Sequence, residues 1–249
     1  DEIGHLGGAL RRMTGALYNR IEAIERFAAD VAHELKNPLT SLRSAVETLP
    51  LAKRKEDQER LTAIIQHDVK RLDRLITDIS SASRLDAELA REGSDRVDVE
   101  KLAETMVSIQ KDVATGRGVR VELAKRGGRG PGIVNGHESR LAQVFANLID
   151  NAVSFSPEGG LVSVVLSTDA ENVTVSVSDE GPGITGDASR IFQRFYTDRP
   201  DAESFGDHSG LGLSISKQIV DAHKGTIKAQ NRQDRSGAVF TVVLPRARK

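Results

Sequence analysis

Through residues 1–91, apolar side chains recur at steps of three and four positions, with no strand-like alternation. This spacing places them on one face of a helix, with a rhythm typical of a seam between packed helices. The first row is Ile24, Ala28, Val31, Leu35, Leu39, Leu42, Val46 and Leu49. The second row is Leu61, Ile65, Leu72, Leu75 and Ile79. A charged turn over 50–57 separates the rows, which predicts a helical hairpin that ends at Gly93.

A helical hairpin with such narrow apolar seams buries too little surface to be stable alone. We therefore predict that it pairs with a second copy into a dimeric four-helix bundle. From about residue 96 the pattern changes to short β-branched runs between amphipathic segments, which predicts an α/β sandwich. Strands are predicted over 97–99, 119–123, 161–166, 173–177, 227–230 and 238–244, and helices over 100–114, 140–153 and 211–223. The expected fold class is thus α+β, with flexible loops at 127–132 and 197–209.

Composition excludes several classes of function. A net charge of −1 gives no global attraction to nucleic acid, and the basic residues Arg11, Arg12, Lys53, Arg54, Lys55, Arg71 and Arg74 read as a solvated helix face. The absence of cysteine excludes disulfides, a thiolate zinc site and a cysteine nucleophile. No run reaches the roughly 20 apolar residues that span a bilayer. Since the chain also lacks an initial Met, we expect it to be a piece of a longer protein.

The string over 27–40 carries the first candidate site, with His33, Glu34, Asn37 and Pro38. At about 100° per residue, His33 points away from the predicted seam, and Asn37 follows one turn along the same face. A carboxylate such as Glu34 beside an exposed imidazole accepts a ring proton and makes the other nitrogen more nucleophilic. Taken alone, however, an exposed histidine is more often an ordinary surface residue.

Three further strings lie in the second half of the chain. Asn147 and Asn151 share one helix face, where their amide oxygens suit Mg²⁺. Asp179 follows an apolar strand, and Gly181 and Gly183 allow backbone to approach a ring closely. Finally, glycines 210 and 212 open a helix whose N–H groups favour phosphate. Each of these strings is weak evidence by itself.

Taken in order, the strings resemble the motif boxes of two-component sensor histidine kinases. The resemblance implies a HAMP-like linker over 1–20, a dimerisation and histidine phosphotransfer domain over 21–92, and a catalytic domain of the Bergerat (GHKL) fold over 96–249. In that family ATP binds with Mg²⁺. The implied ATP-binding residues are Asn147, Asn151, Phe155, Asp179, Gly181, Gly183, Arg194, Gly210, Leu211 and Gly212, with the metal on the two asparagines. Residues 197–209 would be a mobile lid. Ser154 departs from the pattern, since the family often has a lysine there.

The resemblance also implies the reaction. His33 is autophosphorylated from ATP with help from Glu34, and the phosphoryl group passes to an Asp of a response regulator receiver domain. Asn37 would orient water for the reverse hydrolysis. The chain would be the cytoplasmic portion of a bacterial inner-membrane sensor, and its hairpin is similar to the ChvG type. One alternative is a degenerate or scaffold GHKL module that binds nucleotide without phosphotransfer, which Ser154 favours. A GHKL ATPase of gyrase or chaperone type is the other, although it lacks the hairpin.

Overall fold

The computed structural model describes residues 2–91, 95–128, 131–196 and 210–247, and the chain divides into two compact units, Asp1–Ile79 and Ser80–Lys249. Residues 2–91 confirm the helical hairpin. Helix α1 (Glu2–Thr48) contains Pro38, and a short 3₁₀ turn (Leu49–Leu51) leads to helix α2 (Lys55–Arg91). The predicted turn over 50–57 is too long, because Glu56 and Asp57 already lie in the first turn of α2. Their negative charges there interact favourably with the helix dipole. Gly93 lies outside the described residues.

The apolar rows of the hairpin are only partly buried within one chain. Ala45 and Leu75 are buried, but Leu39, Val46, Val69 and Ile76 are 53%, 48%, 45% and 56% exposed. Each exposed pair is spaced by seven residues, so it forms a stripe along its helix. The seam predicted as a single row is therefore divided between the interior of the hairpin and an outward apolar face.

The second unit confirms the mixed α/β prediction. Its elements are β1 (Asp95–Asp98), α3 (Val99–Gly116), β2 (Arg120–Lys125), β3 (Ile133–Gly136), α4 (Glu138–Phe155), β4 (Leu161–Thr168), β5 (Asn172–Ser178), α5 (Gly212–Ala222), β6 (Thr226–Asn231) and β7 (Ala238–Pro245). The five-stranded sheet has the order β2-β4-β5-β7-β6, in which only the β2–β4 pair is parallel. Alternate residues of β4, β5 and β7 are buried, and α3, α4 and α5 carry most of the other buried apolar residues of this unit. Across the described ranges, no helix is long and apolar enough to cross a membrane.

Two local expectations in this unit were wrong. Val99 was predicted in a strand but begins α3, because the Asp98 carboxylate accepts hydrogen bonds from the N–H groups of Glu100 and Lys101 and caps the helix. Strand β3 was not predicted at all. It spans four residues and pairs along its length with β1, so it is too short to show a periodic pattern.

His223 joins the end of α5 to the start of α4. Its ring is buried; Nδ1 donates to the carbonyl of Ile219 (2.7 Å), and Nε2 accepts from the backbone N–H of His137 (3.0 Å). A Cβ at Gly136 would collide with this ring. This bonding pattern requires the neutral Nδ1–H tautomer. Burial lowers the pKa of His223, because the charged ring would lose its solvation. The bond to Ile219 opposes this shift, and the neighbouring His137 adds to it.

We expect His223 to make the stability of the second unit depend on pH. Because the folded state disfavours the charged ring, the free energy of unfolding should fall as pH drops below about 6.5, where an unfolded histidine becomes charged, until pH passes the lowered folded pKa. Denaturant unfolding at pH 7.5 and 5.5 checks this in wild type and His223→Gln. The variant should lose less stability on acidification. The control is His5→Gln, at an exposed position of α1, which should keep the pH dependence of wild type. If His223→Gln also keeps that pH dependence, the expectation is contradicted.

Candidate functional site

His33 is exposed on α1, as helical geometry predicts, and Asn37 is exposed one turn further along. Glu34 is not open to solvent in the same way. Its Oε2 lies 3.2 Å from Nη2 of Arg71 on α2, and the Glu34 and Arg71 side chains are only 26% and 18% exposed. The ion pair crosses the hairpin and holds a carboxylate beside the exposed imidazole.

The pairing of Arg71 with Glu34 is not predicted from the sequence. The expected solvated basic face is wrong at this residue, because its guanidinium is largely buried against Glu34. A signal was available: continuing the second apolar row by steps of three and four places Asp68 at a seam position, and Asp68 is indeed 5% exposed. A charged residue inside an apolar seam indicates that charges are buried nearby, since such groups are rarely buried unless paired.

Asp179 directly follows β5 and is 3% exposed. Its Oδ1 accepts hydrogen bonds from the backbone N–H groups of Gly181 (2.9 Å) and Ala238 (3.0 Å). Burial raises the pKa of this carboxyl, while both backbone bonds and the nearby Arg232 oppose the rise. Two bonds to one oxygen fix the carboxylate in a single orientation, which suits recognition of an exocyclic amine.

Gly181 and Gly183 both lie in close contact with neighbouring segments of the chain. A Cβ on Gly181 would lie 2.6 Å from the carbonyl oxygen of Phe155, at the end of α4. Gly183 has φ +86°, and its Cβ would lie 2.8 Å from Oδ1 of Asn231. A side chain would therefore push the Asp179 loop away from α4 or strain it.

Asn147 links α4 to the start of α5. Its Nδ2 donates to the carbonyl of Gly212 (3.1 Å) and to Oγ of Ser216 (3.3 Å). This fixes the orientation of the amide and leaves Oδ1 as an acceptor. Asn151 is half-buried one turn further along α4, and Phe155 at its end is 37% exposed. Ser154, which departs from the family pattern, is half-buried.

The segment before α5 packs closely against Phe195. Gly210 has φ +71°, and its Cβ would lie 2.8 Å from the Cα of Phe195, whose N–H donates to the Gly210 carbonyl (2.9 Å). Leu211 is fully buried, and no side-chain hydrogen bond caps α5, so its first N–H groups suit an anion. Arg194 is exposed beside Phe195. The predicted lid, 197–209, lies outside the described residues.

These contacts gather most of the predicted nucleotide-site residues around the second half of α4. Gly181 approaches the end of this helix, and Gly212 contacts Asn147 within it. The oxygen ligands available there suit Mg²⁺, which uses few protein carboxylates and keeps water and substrate phosphates as ligands. In the parts of the chain that the structure describes, no group of three or more His, Cys, Asp or Glu residues forms a metal cage.

Two parts of the chain match known protein families. Residues 23–88 match the His Kinase A (phospho-acceptor) domain, and residues 136–248 match the family described as histidine kinase-, DNA gyrase B-, and HSP90-like ATPase. Sensor protein ChvG from Agrobacterium fabrum is 56% identical over 99% of this chain. The chain spans 43% of that relative's length.

Solved structures agree on the fold. Histidine kinase AdeS from Acinetobacter baumannii superposes with a TM-score of 0.66 at 26% identity, covering 87% of this chain and 98% of that chain. Histidine kinase ThkA in complex with response regulator protein TrrA gives a TM-score of 0.71 at 24% identity, covering 92% of this chain and 64% of that chain. At that identity the second likeness supports the fold alone.

Proposed function

The chain belongs to the two-component sensor histidine kinases and is of the ChvG type, and from this premise we propose that its second unit binds ATP and phosphorylates His33. One observation carries the proposal. The chain combines an exposed histidine beside an ion-paired carboxylate with a second cluster, around Asn147, Asp179 and Gly212, whose polar side chains are oriented by hydrogen bonds; we propose this cluster as the nucleotide cradle. A scaffold without phosphotransfer would need only the second feature.

In this proposal each part of the cradle binds one part of ATP. Asp179 accepts the 6-amino group of adenine, and Phe155 lies beside the ring. Backbone N–H groups at the start of α5 and in the two residues before it, Gly210 and Leu211, bind phosphate oxygens, and Arg194 contributes a cation. Oδ1 of Asn147 and the amide oxygen of Asn151 would hold Mg²⁺, and the ion would supply charge neutralisation for the phosphates.

The reaction at His33 is a phosphoryl transfer. A ring nitrogen of His33 attacks the γ-phosphorus, the bond to the oxygen bridging the β- and γ-phosphorus atoms breaks, and ADP leaves with that oxygen. The product is a phosphoramidate on His33. Glu34 orients the imidazole and accepts the proton that the ring loses, while Arg71 keeps the carboxylate in place.

We also propose that the chain acts as a homodimer. The outward stripes of Leu39, Val46, Val69 and Ile76 are too apolar to be left to solvent. The exposed residues Leu10, Met13, Leu17, Ile21 and Ile24 extend a similar stripe along the first half of α1. A second copy placed on these faces completes a four-helix bundle of the kind expected from the sequence.

The partner in the next step is a response regulator receiver domain, whose Asp takes the phosphoryl group from His33. Among the relatives, ThkA is seen in complex with such a regulator. We propose that Asn37, exposed one turn from His33, orients water to hydrolyse the phosphorylated regulator in the reverse activity. The domain limits at 20, 92 and 96 and the HAMP-like origin of the first turns of α1 remain part of the same proposal. So does the position of the chain on the cytoplasmic side of an inner-membrane sensor.

The proposal is tested with γ-labelled ATP and Mg²⁺ on the full chain. Label that is acid-labile and alkali-stable is expected, because a phosphoramidate hydrolyses in acid and resists base. A purified receiver domain should then remove the label, and Asn37→Ala should slow hydrolysis of the phosphorylated regulator without reducing labelling. If the chain binds nucleotide but takes up no label, whether or not the receiver domain is present, the result would favour the scaffold alternative.

A further inference from the structure

The loop between β6 and β7, residues 232–237, wraps around the segment that carries Asp179. Nη1 of Arg232 donates to the backbone carbonyl of Asp179 (3.1 Å), and Oγ of Ser236 donates to the carbonyl of Gly181 (2.7 Å). Directly after the loop, the N–H of Ala238 donates to the Asp179 carboxylate. The loop therefore contacts this short segment at two backbone carbonyls, and Ala238, directly after the loop, contacts it at the Asp179 carboxylate.

Arg232 is itself held rigidly. Its guanidinium makes two hydrogen bonds to the Asp234 carboxylate (3.0 and 2.8 Å), and its side chain is only 14% exposed. A bidentate pair of this kind fixes the plane of the guanidinium, so that its remaining N–H groups point in one direction. The backbone N–H of Arg232 also donates to the carbonyl of Gly237, which closes the loop.

The backbone of the loop lies unusually close to Asp179. Gly237 has φ +133°, and a Cβ there would collide with the carbonyl oxygen of Asp179. Arg235 adds a second link, since its Nη1 lies 2.8 Å from Glu180, whose other carboxylate oxygen accepts from the N–H of Leu161 (3.0 Å). The residues that follow β5 are thus tied to the β6–β7 loop on one side and to β4 on the other.

We propose that Arg232, oriented by Asp234, is a positioning residue that sets the selectivity of this site for adenine. The inference rests on the proposed function, in which Asp179 accepts the 6-amino group of ATP. A hydrogen bond to a small donor depends steeply on angle, so a carboxylate whose backbone can shift distinguishes amine from carbonyl poorly. By fixing the backbone that carries Asp179, Arg232 preserves that angle without touching the nucleotide.

The test compares ATP with inosine triphosphate, which carries a carbonyl oxygen in place of the 6-amino group. Arg232→Met is expected to weaken ATP binding about tenfold and inosine triphosphate binding by less than twofold, because only the first depends on the orientation of Asp179. Arg232→Lys should fall between wild type and Arg232→Met, since it keeps one donor and loses the bidentate pair. A merely structural role would weaken both nucleotides equally, and that result would overturn the inference.

The matched control is Arg246→Met, which removes a guanidinium that donates to the carbonyl of Asp169 (3.0 Å), in the turn at the opposite end of β5. It should leave the preference for ATP unchanged. Should Arg232→Met fail to fold, Asp234→Asn serves instead, because Asp234 is 59% exposed and its loss releases Arg232 without emptying a buried site. It should reduce the preference about threefold, and an unchanged preference in Asp234→Asn and Arg232→Lys would overturn the inference.

Asp179→Asn separates failure of this inference from failure of the proposed function. If Asp179→Asn loses the preference for ATP while the Arg232 variants keep it, Asp179 reads adenine without help from the loop and the inference is wrong. If Asp179→Asn keeps the preference, the adenine role of Asp179 is itself wrong, and the inference fails with it.

Discussion

Replacing His33 by glutamine is expected to lower phosphorylation from ATP more than about a hundredfold, to background, because the nucleophile is removed and glutamine cannot form a phosphoramidate. The side chain is exposed, so the change should not disturb the hairpin. ATP binding should be retained, because Asp179, Asn147 and Gly212 belong to the other compact unit. The measurement pairs label incorporation with an independent nucleotide-binding assay on the same preparation.

His67→Gln provides the control for this variant. His67 lies on α2, close in sequence to Arg71 of the Glu34–Arg71 pair. Its Nδ1 is 3.5 Å from Asp68, and its side chain is 37% exposed. It should retain most of the label. Label that persists in His33→Gln and disappears in His67→Gln would mean that the phosphoryl acceptor has been assigned to the wrong helix.

Replacing Asp179 by asparagine is expected to weaken ATP binding by about 3 kcal/mol, roughly a hundredfold in affinity. The charged acceptor is lost, and the NH₂ group of asparagine can face the 6-amino group of adenine, so that two donors meet. The two backbone N–H groups that now bind Oδ1 can still be satisfied by the amide oxygen, which turns the NH₂ group toward the position of the second oxygen. Titration calorimetry with ATP and Mg²⁺ measures the change.

Asp169→Asn is the matched control, because Asp169 also accepts two backbone hydrogen bonds, from Glu171 (2.8 Å) and Asn172 (2.7 Å), in the turn at the other end of β5. It should bind ATP as wild type does. Thermal unfolding of both variants identifies any general loss of stability. ATP affinity within threefold of wild type for Asp179→Asn would remove Asp179 from the adenine site.

Most of the candidate site could be predicted because its signals are local in sequence. The string around His33, the asparagines of α4 and the glycines at 181, 183, 210 and 212 each lie within a few residues of one another. Helical spacing alone predicts that His33 points away from the seam, and it is exposed. The structure adds why the glycines are required, since a Cβ at Gly181 or Gly210 would meet the backbone of Phe155 or Phe195.

A helical hairpin followed by an α/β unit, most of the helices and longer strands, and the residues of the proposed chemistry could all be predicted from the order of amino acids. They could be predicted because helix and strand periods and glycine-rich turns depend on neighbouring residues. Three contacts became visible only in the folded chain: Arg71 lies against Glu34, His223 joins α4 to α5, and Arg232 holds the backbone of Asp179. These pairs are separated by 37, 86 and 53 residues, and each depends on burial and on a direction of hydrogen bonding that no local pattern encodes.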